Sequence, residues 1–128
     1  LLAELNLPKE GVIWDIGSGV GSIGLEALRI SPNLRLVSID KRVGSKNIIE
    51  ENNFTDAVRY FLNPSENIFT WWSYRSPNFE KNNRGRRLDH ILVSNGLSSN
   101  LKKAKILINF RKKRKPSDHV PVCLELNI

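Results

Sequence analysis

The chain has 128 residues, 40% hydrophobic and 26% charged, with one cysteine, no methionine and a net charge of +7. That suffices for one modest domain, or for two fragments each short of a full core. No apolar run approaches the roughly 20 residues that cross a bilayer, no basic-then-apolar leader opens the chain, and the lone Cys123 excludes an internal disulfide.

A reducing, cytoplasmic setting without a membrane partner is the expectation. Cys123 lies in the alternating stretch Val120–Leu126 and reads as a small buried hydrophobe. Leu1-Leu2-Ala3 looks like the middle of a helix, so the true start is expected upstream. Charge divides the chain unevenly. Residues 1–53 hold six Lys/Arg against seven Asp/Glu, a net −1, whereas residues 54–128 hold fourteen against six, a net +8. Only the second half has the footprint of a polyanion binder.

In chain order, Val12–Ile16 is a short apolar run that enters the cluster Gly17-Ser18-Gly19-Val20-Gly21, the pattern of a buried parallel strand before a tight turn. Ile23, Leu25, Ala27, Leu28 and Ile30 recur at helical spacing until Ser31-Pro32 stops the helix. Leu34–Ile39 is a second strand ending at Asp40, and Ser45–Glu51 can start a second helix. Strand, helix, strand, helix is half of a doubly wound sheet. Phe54–Leu62 has helical spacing up to Asn63-Pro64, Ile68–Tyr74 is aromatic and β-rich, and Leu88–Val93 is a strand. Asn95–Lys105 is expected to be helical and Ile106–Phe110 extended. Five consecutive basic residues, Arg111–Lys115, lead into Pro116-Ser117-Asp118-His119, and Val120–Ile128 alternates as a final strand.

Glycines let backbone approach a ligand, and free amides at a helix N-terminus favour its anionic or polar groups. A carboxylate at the end of the next strand, here Asp40, can take both hydroxyls of a ribose. The frame Gly19-x-Gly21-x-x-Gly24 matches the dinucleotide pattern formally but starts late relative to the strand. Asp15-x-Gly17-x-Gly19-x-Gly21 instead resembles motif I of class I S-adenosylmethionine-dependent methyltransferases. The wider string WDIGSGVGSIGLEALRISPNLRLVSIDK resembles the decarboxylating precorrin methyltransferases of cobalamin synthesis. That resemblance covers residues 1–53. It implies that Asp15, Gly17, Gly19 and Gly21 line an S-adenosylmethionine site and that Asp40 holds the ribose. The plainer alternative is that the glycines only turn the chain. Counterparts of the family's third and fourth strands are not found.

In the second half, a carboxylate such as Asp89 can hold one imidazole nitrogen of His119 and leave the other for a phosphate oxygen. A second carboxylate, Asp118, can bind Mg2+, a hard cation suited to phosphodiester chemistry. FTWWSYRSPNFEKNNRGRRLDHILVS followed by PSDHVPVCLEL resembles the exonuclease III family of abasic-site endonucleases, within the endonuclease/exonuclease/phosphatase superfamily. The likeness covers residues 54–128. It implies catalytic positions at Asp89, Asp118 and His119, with Asp118 near the Mg2+. It implies nonspecific DNA contacts by Trp71, Trp72, Arg75, Arg84, Arg86 and Arg87; Arg86 stands where the family usually carries a larger apolar residue. Trp71 and Trp72 can equally be core, and Arg111–Lys115 reads more readily as a solvated loop than as a phosphate clamp.

The fold class expected is α/β: a partial doubly wound, Rossmann-like unit (1–53), then a partial α/β-sandwich nuclease unit (54–128), separate or merged into one mixed sheet. The family's metal-binding glutamate and water-positioning residues have no match in residues 1–53. Three functional readings stand side by side: a nuclease-derived chain with a partial site, a cofactor-binding module without transfer, and a nonfunctional fusion.

Overall fold

The computed structural model describes residues 6–40, 51–75 and 79–128. The first apolar run forms β1 (Glu10–Ile16), and β2 (Asn33–Asp40) lies parallel beside it, in register from Glu10↔Asn33 to Ile16↔Ile39. Parallel neighbours need a crossover, which α1 (Ser22–Ile30) supplies. The turn into α1 requires left-handed backbone, with φ of 79° at Gly17, 59° at Gly19 and 78° at Gly21. At Gly24 the requirement is contact instead: an added Cβ would lie 2.6 Å from Leu36 Cδ2, so the bare position lets α1 sit close on β2.

β3 (Phe54–Asp56) and β4 (His90–Ser94) complete a mixed four-stranded sheet in the order β1-β2-β4-β3. β4 runs antiparallel to β2, from Val37↔Val93 to Asp40↔His90, and antiparallel to β3. Both halves of the sequence therefore share one sheet. Successive strand residues face opposite sides. Leu36, Phe54 and Leu92 pack with Leu25 and Leu28 of α1. Val37, Ile91, Val93 and Leu97 face the other way, toward β5 (Leu101–Ile106) and β6 (Val122–Leu126), an antiparallel pair that forms a second layer. Each fully buried Leu or Val contributes about 1.5–3 kcal/mol. Among the described residues no helix is long and apolar enough to cross a membrane.

Several expectations are corrected. β1 is an edge strand, not a buried one, and Trp14 and Ile16 are exposed. The doubly wound pattern stops after β2, whose next neighbour is antiparallel. Phe54–Leu62 is not a helix: β4 recruits Phe54–Asp56, and the Asp56 carboxylate accepts the amides of Val58 and Arg59, starting a short 3-10 turn over Arg59–Phe61. Asn95–Lys105 splits into α3 (Asn95–Ser98; α2 is Phe79–Asn82) and β5, because pairing with β6 outweighs the weak helical spacing. Ile108–Lys112 is a 3-10 helix rather than strand. Ile68–Tyr74 has no regular strand, only bridges at Trp71. Cys123 is exposed on the outer side of β6. Leu1-Leu2-Ala3 and nearly all of Ser45–Glu51 lie outside the described residues.

Candidate functional site

The irregular segment Ile68–Tyr74 is the frame of the site. It runs between Arg86 on one side and Asp118–Val120 on the other. Thr70 and Trp71 donate their amides to the Arg86 carbonyl at 2.9 and 3.0 Å, and Arg86 returns one to Trp71 at 2.9 Å. Trp72 donates to the Asp118 carbonyl at 3.0 Å, and Val120 donates to that of Thr70 at 2.9 Å. Trp72 is only 2% exposed, edge-on to Phe69 and Phe79. It is core, which settles the alternative left open for it. Gly85 lies against it: an added Cβ would be 2.6 Å from Phe69 Cβ and 2.7 Å from Trp72 Nε1.

This frame brings Asp89, Asp118 and His119 together. The buried Thr70 hydroxyl accepts the amides of Leu88 and Asp89, both at 3.0 Å, fixing the backbone that carries Asp89. His119 Nδ1 lies 2.9 and 3.1 Å from the two Asp89 carboxylate oxygens. A carboxylate only accepts, so Nδ1 carries the hydrogen and Nε2 is left for another partner. Asp118 Oδ2 accepts the Trp71 indole N–H at 2.9 Å. That bond, with smaller contributions from the charges of His119 and Arg111, holds the Asp118 carboxyl below its ordinary range. Trp71 is thus half-buried and tied to Asp118, between core and contact surface.

The arginines divide. Arg75, Arg84 and Arg86 are exposed, with the Arg86 guanidinium 6.0 Å from the Trp71 ring centroid. Arg87 turns inward: Nη2 meets Asp56 Oδ1 at 2.6 Å, with the side chains 15% and 14% exposed, so it belongs to the fold rather than to a surface. Burial pushes the Asp56 carboxyl up, but Arg87 and the Arg59 amide pull it below its ordinary value. Burial and the charge of Arg87 depress the neighbouring His90. In the basic run, Arg111 is buried, its guanidinium 5.1 Å from the Tyr74 ring centroid and 3.4 Å from the Trp72 carbonyl.

The other predicted cluster also assembles. Asp15, Gly17, Gly19, Gly21 and Asp40 gather at the carboxyl ends of β1 and β2, where ligands of α/β sheets bind. Gly19 donates its amide to Asp40 Oδ2 at 2.7 Å, and the amides of Gly17 and Ser18 reach the Ile39 carbonyl. The buried Asp15 Oδ2 has no partner among the described residues. Asp40 pairs in register with His90, one residue from Asp89. Even so, among the described residues no three His, Cys, Asp or Glu side chains are grouped to hold a metal.

Thr70 is not singled out by the sequence, and Arg111 is marked there only as part of the basic run, not as a buried brace; their partners lie 18 to 39 residues away.

Residues 1–68 match the family described as precorrin methyltransferase domain. The chain is 46% identical over 65 residues to exodeoxyribonuclease III of Haemophilus influenzae, covering 50% of this chain and 24% of that protein. It is 30% identical over 123 residues to a DNA-(apurinic or apyrimidinic site) endonuclease of Dictyostelium discoideum, covering 94% of this chain and 32% of the relative. The chain therefore spans about a quarter to a third of these relatives. In three dimensions it is similar to the 3' phosphatase NExo from Neisseria bound to product DNA hairpin, with a TM-score of 0.69, 22% identity, and coverage of 87% of this chain and 51% of the other. That likeness is one of fold, a mixed α/β architecture with layered sheets. The chain thus resembles part of the exonuclease III and abasic-site endonuclease family, and its residues 1–68 a precorrin-type methyltransferase domain.

Proposed function

Because the chain belongs, through residues 1–68, to the precorrin methyltransferase domain family, while its second half is similar to exonuclease III-type enzymes, we propose that it joins a partial cofactor-binding segment to the closing part of a DNA-repair phosphodiesterase. The join falls near Asn53. The chain meets nucleic-acid phosphates, nonspecifically and electrostatically, and incises abasic DNA weakly or not at all by itself.

The observation that carries this reading is the Asp89–His119 pair at 2.9 Å, on a backbone pinned by Thr70. Asp89 accepts the hydrogen of Nδ1 and so fixes the ring. His119 then donates from Nε2 to a phosphate oxygen, a charge-assisted hydrogen bond of the strong kind. Trp71 keeps the Asp118 carboxylate ionised and in place beside it. Arg75, Arg84 and Arg86 add sequence-independent attraction for the backbone.

A bound Mg2+ would neutralise charge on the phosphate, and Asp118 would be its ligand. The donor set here does not complete such a site: Asp118 Oδ2 carries the indole hydrogen bond and both Asp89 oxygens face His119. No step is therefore assigned to the metal. Without groups to activate the water, a loss of several orders of magnitude in rate follows. Abasic duplex with added Mg2+ is the assay, and incision near background is expected. Robust incision that disappears in His119→Ala would overturn the prediction of weak activity.

A second reading has its own support in the glycine turn. The left-handed glycines, the Asp15 oxygen without a partner among the described residues, and Asp40 at the end of β2 suit an adenosyl cofactor, whose ribose would replace or share the Gly19–Asp40 hydrogen bond. Saturable S-adenosylmethionine binding lost in Asp40→Ala would support it. No saturation would remove it.

A further inference from the structure

A cleft of ≈ 540 Å³ opens beside the Asp89–His119 pair, lined by Lys113, Arg114, Lys115, Ser117 and His119 over Phe110 and Val120. Among the described residues no carboxylate lines it. The five-residue basic run is thereby divided. Arg111 is buried between Tyr74 and Phe79, and Lys112 is paired with Glu80 at 2.5 Å. Among the described residues, none of Lys113, Arg114 and Lys115 has an acidic partner. Three exposed cations sharing one concave wall repel each other in the absence of an anion.

The wall is built rather than draped. Arg111 anchors its start, and the Tyr74 hydroxyl donates to the Pro116 carbonyl at 3.2 Å near its end. Lys115 holds a left-handed backbone at φ 51°, a conformation a lysine does not adopt for its own sake. Lys113 Nζ lies 3.8 Å from the centroid of the Phe110 ring, which also lines the cleft. The Ser117 hydroxyl accepts the His119 amide, tying the wall to the histidine.

We propose that this cleft is a second phosphate site, taking the backbone phosphate next to the one met by His119, so that Lys113–Lys115 follow a nucleic-acid strand leaving the Asp89–His119 pair. The strand as ligand rests on the phosphate reading of His119. The anion preference of the cleft rests only on its own lining. A free phosphate ion is the other source of the same chemistry.

The test uses the full chain and a triple variant, Lys113→Gln with Arg114→Gln and Lys115→Gln. The control removes equal charge from β5, away from the cleft: Lys102→Gln with Lys103→Gln and Lys105→Gln. Binding of a fluorescein-labelled single-stranded oligonucleotide is followed by anisotropy across a salt series. Loss of three phosphate contacts makes the slope of log K against log salt shallower by about 2. The cleft variant should show that change and at least tenfold weaker binding, with the β5 variant close to wild type. In parallel, inorganic phosphate is titrated while the His119 ring signals are followed by NMR. Saturable shifts lost in the cleft variant support the site, even if the oligonucleotide does not bind; that last result would sink the nuclease reading alone. Equal losses in both triple variants, or no response to either probe, overturn the proposal. The unchanged ring signals of His90 serve as the check that each variant is folded.

Discussion

Replacing Arg87 with methionine tests the packing of the sheet against the segment that leads to Asp89. The Arg87 guanidinium lies 2.6 Å from Asp56 Oδ1, with side chains 15% and 14% exposed. The same Asp56 oxygen accepts the amides of Val58 and Arg59, both at 3.1 Å, so the carboxylate organises the end of β3 as well. Removing one partner of a buried pair leaves an uncompensated charge and costs about 3–5 kcal/mol. Methionine restores part of the apolar contact, so a loss of about 3 kcal/mol is expected. That would lower the melting temperature by ~10 °C for a domain of this size. The exposed pair Lys102–Glu125, 55% and 52% accessible, is the internal comparison and should cost far less when broken, because solvent screens it. Urea unfolding of both variants measures the difference. The Asp56 carboxyl is depressed in the fold, so its stabilisation is present above its ordinary value of 3.8 and is lost as pH falls through the lower folded value. The two curves, wild type and Arg87→Met, should therefore converge in strong acid. A loss no larger than that of Lys102→Met, or curves that stay parallel down to strong acid, would refute the buried-pair argument.

Three further outcomes follow from particular contacts. His90 is depressed below its ordinary 6.5 by burial and by Arg87, so the folded state resists its protonation. Stability should be fully present above about 6.5 and fall as pH drops toward the lower folded value, and His90→Gln should flatten that part of a urea-midpoint profile. Gly85→Ala would press a Cβ to 2.6 Å from Phe69 Cβ, and overpacking of this kind costs about 1–3 kcal/mol, read by thermal melting. Trp71→Phe removes the hydrogen bond that chiefly holds Asp118 down, so the Asp118 carboxyl should titrate closer to the ordinary 3.8 in carbon-detected NMR.

Legibility in the sequence tracked whether the deciding contacts were local. β1, the glycine turn, α1 and β2 read correctly because an apolar run, left-handed glycines and a Ser-Pro stop act within a few residues. The exposure of β1 did not, since an edge strand and a central one carry the same apolar run. Phe54–Asp56 and Leu101–Ile106 were misread because their partners, β4 and β6, lie far along the chain, and Lys-rich LKKAKI suits a helix nearly as well as a strand. The Asp89–His119 pair was legible from residue types in a recurring pattern. The inward turn of Arg87 and the Thr70 brace were not, because both depend on which groups the fold brings within reach.

The most direct measurement of the central claim is equilibrium binding of an abasic-site duplex to wild type and His119→Ala, at matched salt and without incision. Losing one charge-assisted hydrogen bond of about 1.5–3 kcal/mol should weaken binding by roughly ten- to a hundredfold. Asp89→Asn should fall between the two proteins, since it loosens the ring without removing it. Identical affinities for wild type and His119→Ala would contradict the claim that this histidine meets the phosphate.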